Sequence, residues 1–182
     1  DIIERFYTPG SPLYETLVSH SRIVADKSLA IAETLSHLDP DTQLDTQFIE
    51  NAAMLHDIGI FLTRAPAIGC SGEHPYVCHG YLGKKLLDDL GLPPEYGRVC
   101  ERHTGAGITR KNIEAKGLPP PARDMVPVSL EEKIICAADK FHSKSPEKKG
   151  RTVTAEDIIE DLGRISRGHA ERFSVWAKDF NL

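Results

Sequence analysis

His20, His56, Asp57 and Asp139 stand where the apolar rhythm of three helices calls for core residues. His20 lies between Leu17 and Val24 on one helical face; His56 follows Ala53 and Ala52 by three and four residues; Asp139 follows Cys136 and Ile135 in the same way. Asp57 comes directly after His56, where a helix ends near Gly59 and the chain is expected to turn. Two imidazoles and two carboxylates thus project from three helices towards one interior. Burying them without partners is costly. A metal ion compensates them, since imidazole nitrogen and carboxylate oxygen are ligands for Fe, Mn, Zn or Mg-type sites. A lone histidine on such a face is ordinarily a satisfied core or surface group. Four polar groups at matching helical phases are not explained that way.

The elements that must carry these residues read as helices. Ser11-Pro12 is a helix start, and Leu13, Leu17, Val24, Ser28, Ala32 and Leu35 recur at helical spacing until Asp39-Pro40. A second helix holds Phe48, Ile49, Ala52, Ala53 and Leu55. A third holds Leu82, Leu86, Leu87 and Leu90, ending at Gly91, and a fourth runs from Pro94 to His103. Ser129-Leu130-Glu131-Glu132 is a capping box that opens a fifth helix, and Thr154-Ala155-Glu156-Asp157 opens a last helical region. Residues 63–75 and 104–127 read as loops, the second long enough to be a functional or mobile one. Few strands are expected. The reading is all-α: a single domain with a five-helix core over about 11–145 and a C-terminal helical extension over about 150–182.

With His20, His56-Asp57-Ile58-Gly59 and Asp139 in this order, the sequence resembles the HD-domain metal-dependent phosphohydrolases, in an HD-domain helical bundle. The resemblance runs from Leu13 to His142. It is nearest to small, largely uncharacterised HDIG proteins of archaeal type, which share His103-Thr104-Gly105-Ala106-Gly107-Ile108-Thr109 and Leu130-Glu131-Glu132-Lys133-Ile134. The resemblance implies two further ligands. His79-Gly80-Tyr81-Leu82-Gly83 matches the His-x-x-x-Gly that begins the third core helix of binuclear members, and His103 matches their next histidine. The implied ligand set is His20, His56, Asp57, His79, His103 and Asp139, with Asp57 bridging two divalent transition-metal ions. Fe or Mn is expected, with Zn, Ni, Co or Mg as other candidates.

The expected chemistry is hydrolysis of a phosphomonoester or phosphodiester by metal-activated hydroxide, on a nucleotide or dinucleotide. Asp57 and Lys140 are the catalytic candidates, Lys140 because it follows Asp139 and can meet the phosphate. Arg22, His74, Arg110 and Lys111 are the candidate substrate contacts. Residues 101–123 carry Arg102, Arg110, Lys111, Lys116 and Arg123 against Glu101 and Glu114, a net +3. Some single-metal relatives have a Lys soon after the His-Asp pair, whereas here Ile58-Gly59-Ile60-Phe61-Leu62 follows, which speaks against a dNTP triphosphohydrolase. Two other readings remain open at this point: a di-iron oxygenase built on the same ligands, and a nucleotide-binding module without turnover.

Composition sets outer bounds. The chain has 182 residues, a formal charge of −5 and 40% hydrophobic residues, as in an ordinary globular domain and unlike a nucleic-acid coat. No apolar run approaches a membrane span. Four cysteines without a CxxC pair are expected as thiols in a cytoplasmic protein, with Cys100 and Cys136 in the core. Oligomerisation is left open.

Overall fold

The computed structural model describes residues 1–142 and 153–182. The basic stretch from Lys140 to Arg151 therefore lies, from residue 143 onwards, outside the described residues. The first helix, α1 (Pro12–Leu38), starts where expected: the Ser11 hydroxyl accepts from the Tyr14 N–H, and Pro12 sits where its missing N–H costs nothing. It is followed by α2 (Thr46–Leu55), α3 (His79–Asp89), α4 (Pro94–Arg102), α5 (Arg110–Lys116), α6 (Leu130–Lys140), α7 (Ala155–Ile165) and α8 (Arg167–Asp179).

Helix α6 is the central element. Ile134, Ile135, Cys136, Ala137 and Ala138 are all fully buried, so the helix is covered around its whole circumference rather than along one stripe. Helices α1 and α2 pack beside it, and α7 and α8 close the same core through Ile158, Leu162, Phe173, Trp176 and Phe180. A second apolar cluster joins Leu17, Ile58, Ile60, Leu87 and Cys100. It also takes in Ile3 and Tyr7, so the first ten residues pack against the core that the sequence placed from residue 11.

The structure corrects three local readings. Residues 63–75 are not plain loop. They contain β1 (Thr63–Ala65), β2 (Cys70–Ser71) and β3 (His74–Pro75), ordered β2-β1-β3, with β1 antiparallel to β2 and parallel to β3. Strands of two and three residues are too short to show an alternating pattern. Residues 104–127 also hold structure: Ile108 pairs with Met125, and α5 is opened by a reciprocal capping box between Thr109 and Asn112. The capping box at Ser129 is one-sided. Its hydroxyl accepts from the Glu132 N–H, but the Glu132 carboxylate accepts from the Val128 N–H and from Arg102 instead. At Thr154 both halves form.

Candidate metal centre

The polar cluster lies on the seam between the two apolar clusters. His20 follows Leu17, in one cluster, and precedes Val24, in the other; His56 sits between Ala53 and Ile58 in the same way. His20, His56, Asp57, His79, His103 and Asp139 are all buried. Three of the histidines are held by one repeated device. Nδ1 of His56, His79 and His103 lies 2.6, 2.6 and 2.7 Å from the carbonyl oxygen three residues earlier, on Ala53, Tyr76 and Cys100. A carbonyl only accepts, so each Nδ1 carries the hydrogen and each Nε2 turns a lone pair inward.

Those lone pairs converge on Asp57. Its Oδ2 is 3.2 Å from His56 Nε2 and 3.5 Å from His20 Nε2; its Oδ1 is 3.4 Å from His79 Nε2 and 3.3 Å from His103 Nε2. Asp139 Oδ1 completes the first group, 2.9 Å from His20 Nε2. Ligand atoms of His20, His56, Asp57 and Asp139 all lie within 4.8 Å of one another, and so do those of Asp57, His79 and His103. The His79 and His103 Nε2 atoms face each other at 3.0 Å. With Nδ1 protonated on both rings this is lone pair against lone pair, an arrangement a cation between them resolves. The buried His56 Nε2 likewise makes no hydrogen bond although two carboxylates stand close. Burial lowers the His56 imidazole, yet Asp57 and Asp139 outweigh it and push its pKa up to about 9, whereas at His103 burial prevails and the pKa falls. The cluster therefore demands positive charge, and a donor set of four imidazoles and two carboxylates fits a divalent metal.

Gly59 brings the two halves together. The expected turn is there, over residues 56–59, but it does not need glycine: the Gly59 φ of −86° and ψ of 0° suit any residue. What it supplies is close approach, because a Cβ there would lie 2.3 Å from the His79 carbonyl oxygen and 2.5 Å from the Gly83 nitrogen. The N-terminus of α3 thus rests directly on the backbone after Asp57. Tyr7 secures the same turn, its hydroxyl donating to the Ile58 carbonyl at 2.8 Å and accepting from the Phe61 N–H at 3.3 Å.

A cavity of about 570 Å³ opens at the cluster, lined by His79, His103, Asp139, Lys140 and the apolar faces of residues 65–77 and α7. The Lys140 ammonium lines it and pairs with Asp139 Oδ2. The other expected substrate contacts stand apart from it. Arg22 is exposed and paired with Glu50 at 2.9 Å, Arg110 is exposed and paired with Glu114 at 2.6 Å, and Lys111 and His74 are exposed outside the lining. The +3 segment is largely consumed internally: Arg102 binds Glu132, Arg123 binds Glu101, and Lys116 donates to the Ile165 carbonyl. Local charge counts could not reveal these partners, most of which are distant in sequence. All four cysteines are buried thiols, and burial raises the pKa of Cys136 to about 12.

Two residues of α8 carry no signal in the sequence. His169 Nδ1 accepts from the Ala106 N–H at 3.2 Å, and Arg172 donates to the carbonyls of Ala106 and Gly107 at 2.7 and 2.6 Å. They clasp the turn that follows His103. Gly105 (φ +61°) allows it, since a Cβ there would meet the His169 ring at 2.4 Å. Burial, joined by the positive charges of Arg172, Lys140 and Lys116, pushes the His169 imidazole down to about 4. An unfolded histidine titrates near about 6.5, so between these values the unfolded chain binds the proton and the folded one does not. Stability is therefore complete above that range and lost as pH falls towards 4. Urea midpoints should drop across it, and His169→Asn should flatten the slope; an unchanged slope would remove His169 as its source.

A helical bundle with an inward His-Asp cluster on α1, in the turn that ends α2 and on α6 is the architecture of an HD domain. The HD-domain family model matches residues 17–144, and the chain belongs to that family. An uncharacterised protein of Methanocaldococcus jannaschii is 32% identical over 156 residues, covering 85% of this chain and 80% of that one. Two proteins named tRNA (cytidine(56)-2'-O)-methyltransferase, from Picrophilus torridus and Thermoplasma volcanium, are 34% and 29% identical over 75% and 91% of this chain, which spans only 38% and 44% of their lengths. Crystal structures of the HD domain of the phosphodiesterase PgpH from L. monocytogenes, with and without cyclic-di-AMP, share the fold. Their TM-scores are 0.55 and 0.56 at 15% identity, over 94% and 98% of this chain and 91% and 94% of theirs. Among the described residues, no helix is long and apolar enough to cross a membrane.

Proposed function

We propose that the chain is a metal-dependent phosphohydrolase that cleaves a phosphoester of a nucleotide or dinucleotide at a site for two divalent ions. His20, His56, Asp57 and Asp139 hold one ion; Asp57, His79 and His103 hold the other. The observation that carries this reading is the division of Asp57, whose Oδ2 faces one pair of imidazole nitrogens and whose Oδ1 faces another. Iron or manganese suits the nitrogen and oxygen donors best, and Zn, Ni, Co and Mg remain compatible. When bound, such ions lower the pKa of a water and polarise phosphoryl oxygens.

The chain's own residues do the rest. The Ala53, Tyr76 and Cys100 carbonyls hold three imidazoles in the ligating tautomer. Lys140 turns from Asp139 to a non-bridging phosphate oxygen, offsetting the charge that grows there. Nucleotide substrates are supported by the cyclic-di-AMP seen in the fold neighbour and by a cavity of ligand size. This chain spans less than half the length of the two relatives named for tRNA methylation, so that name does not bear on this reading.

The test is elemental analysis of protein purified without chelators, followed by phosphate or nucleotide release from a panel of mono- and dinucleotides. Close to two equivalents of metal with turnover is expected. One equivalent would return His79 and His103 to substrate-side roles, and no metal even after adding Mn or Fe would overturn the reading. In the same assay Lys140→Ala should lower turnover about 10- to 100-fold, with metal content retained. An unchanged rate would take Lys140 out of the site.

A further inference from the structure

His103 ends α4 and opens a turn with little rigidity of its own. Thr104-Gly105-Ala106-Gly107 contains two glycines at positive φ, +61° and +83°, where glycine backbone is as free as on the ordinary side. One hydrogen bond closes the turn from within, Gly107 N–H to the Thr104 carbonyl at 3.0 Å. The remaining support comes from distant helices. On α8, His169 Nδ1 accepts from the Ala106 N–H at 3.2 Å, and the Arg172 guanidinium donates to the Ala106 and Gly107 carbonyls at 2.7 and 2.6 Å. On α6, the Cys136 thiol donates to the His103 carbonyl at 3.3 Å.

We propose that His169 and Arg172 are positioning residues for the ion at Asp57, His79 and His103: by fixing this turn they fix His103, and so set the affinity of that ion without setting that of the other. The inference rests on the two-ion reading and names what holds one half of it. His103 Nε2 has to meet His79 Nε2 at 3.0 Å and Asp57 Oδ1 at 3.3 Å, atoms carried by other parts of the chain. Its bond from Nδ1 to the Cys100 carbonyl orients the ring relative to α4 and travels with α4. The backbone of His103 is continuous with the turn, so a shift of the turn moves the ligand nitrogen.

The fit of α8 to the turn is close. The forked guanidinium matches two carbonyls of consecutive residues, and a Cβ at Gly105 would meet the His169 ring at 2.4 Å. The other ligand group is held differently. His20 and Asp139 lie within α1 and α6, and His56 directly follows α2, helices seated in the main apolar core. Helix α8 lies outside residues 17–144, the part matched by the family model. One half of the metal centre thereby depends on the C-terminal helices, and the other on the shared core.

The test is stepwise Mn titration of the metal-free 182-residue chain, with unbound Mn read by electron paramagnetic resonance, so that no turnover is needed. Wild type should take up two ions, and His79→Ala identifies the binding step that belongs to the His79 and His103 group. Arg172→Ala and His169→Leu should each weaken that step about 10-fold and leave the other unchanged. His169→Asn should recover most of the loss, because its side-chain oxygen can accept from the Ala106 N–H in place of Nδ1. Phe180→Leu, a core change at the far end of α8, should lower the melting temperature and leave both steps in place. Should Arg172→Ala fail to fold, the two His169 variants decide. An unchanged step in Arg172→Ala and His169→Leu, an equal loss of both ions, or the same loss in Phe180→Leu would overturn this inference alone. A wild type that takes up a single ion would overturn the two-ion reading, and this inference with it.

Discussion

Asp57→Ala should leave the protein without bound metal and lower turnover by at least about 1,000-fold, equivalent to about 4 kcal/mol of barrier. Among the described residues no other carboxylate meets both groups of imidazoles: its Oδ2 faces His20 and His56, and its Oδ1 faces His79 and His103. On the proposed two-ion reading, removing it would take a ligand from each ion and the negative charge between them. The helices themselves are built from apolar contacts elsewhere, so far-ultraviolet circular dichroism should remain close to wild type. His79→Ala is the informative companion, because it belongs to the second group only. It should retain close to one equivalent of metal where Asp57→Ala retains none. An Asp57→Ala protein that kept its metal and its rate would show that the cluster is not the reaction centre.

The second large effect is expected from a methyl group. Gly59→Ala places a Cβ 2.3 Å from the His79 carbonyl oxygen and 2.5 Å from the Gly83 nitrogen. Both are backbone atoms, so no side-chain rotation relieves the clash, and the N-terminus of α3 must move away. Overpacking costs about 1–3 kcal/mol, which for a domain of this size lowers Tm by roughly 2–12 °C. His79 travels with α3, so the second ion should weaken more than the first. Thermal melts and metal titration of the variant check both parts. A melting temperature within a degree of wild type would mean that α3 does not depend on the close approach at Gly59.

Both effects concern residues that stand out in the sequence, yet for reasons that differ in kind. Ser11-Pro12, Thr154-Ala155-Glu156-Asp157 and the apolar spacing of α1 and α6 are local signals, in which capping and helical period act between neighbours along the chain. That is why the helices, and the inward phase of His20, His56 and Asp139, are legible in the order of residues. Gly59 is legible there as a position and not as a cause. Its φ is ordinary, and what demands glycine is the backbone of α3, twenty and more residues away.

The same division separates ligands from their surroundings. Periodicity identifies the faces that carry the candidate ligands, because burying a polar side chain requires a partner wherever the chain goes. Periodicity does not show that Arg22 and Arg123 spend their charge on Glu50 and Glu101, since these ion pairs depend on which surfaces the fold brings together, whereas the Arg110–Glu114 pair lies four residues apart on one helix. Nor does it show that His169 and Arg172 clasp the turn after His103, or that α7 walls the cavity. Helix formation and core-facing phase follow from interactions over three or four residues, so residue order alone settles them. The two-sided arrangement around Asp57, the seat of α3 and the part α7 takes in the cavity lining arise from contacts between distant segments, which only packing in three dimensions decides.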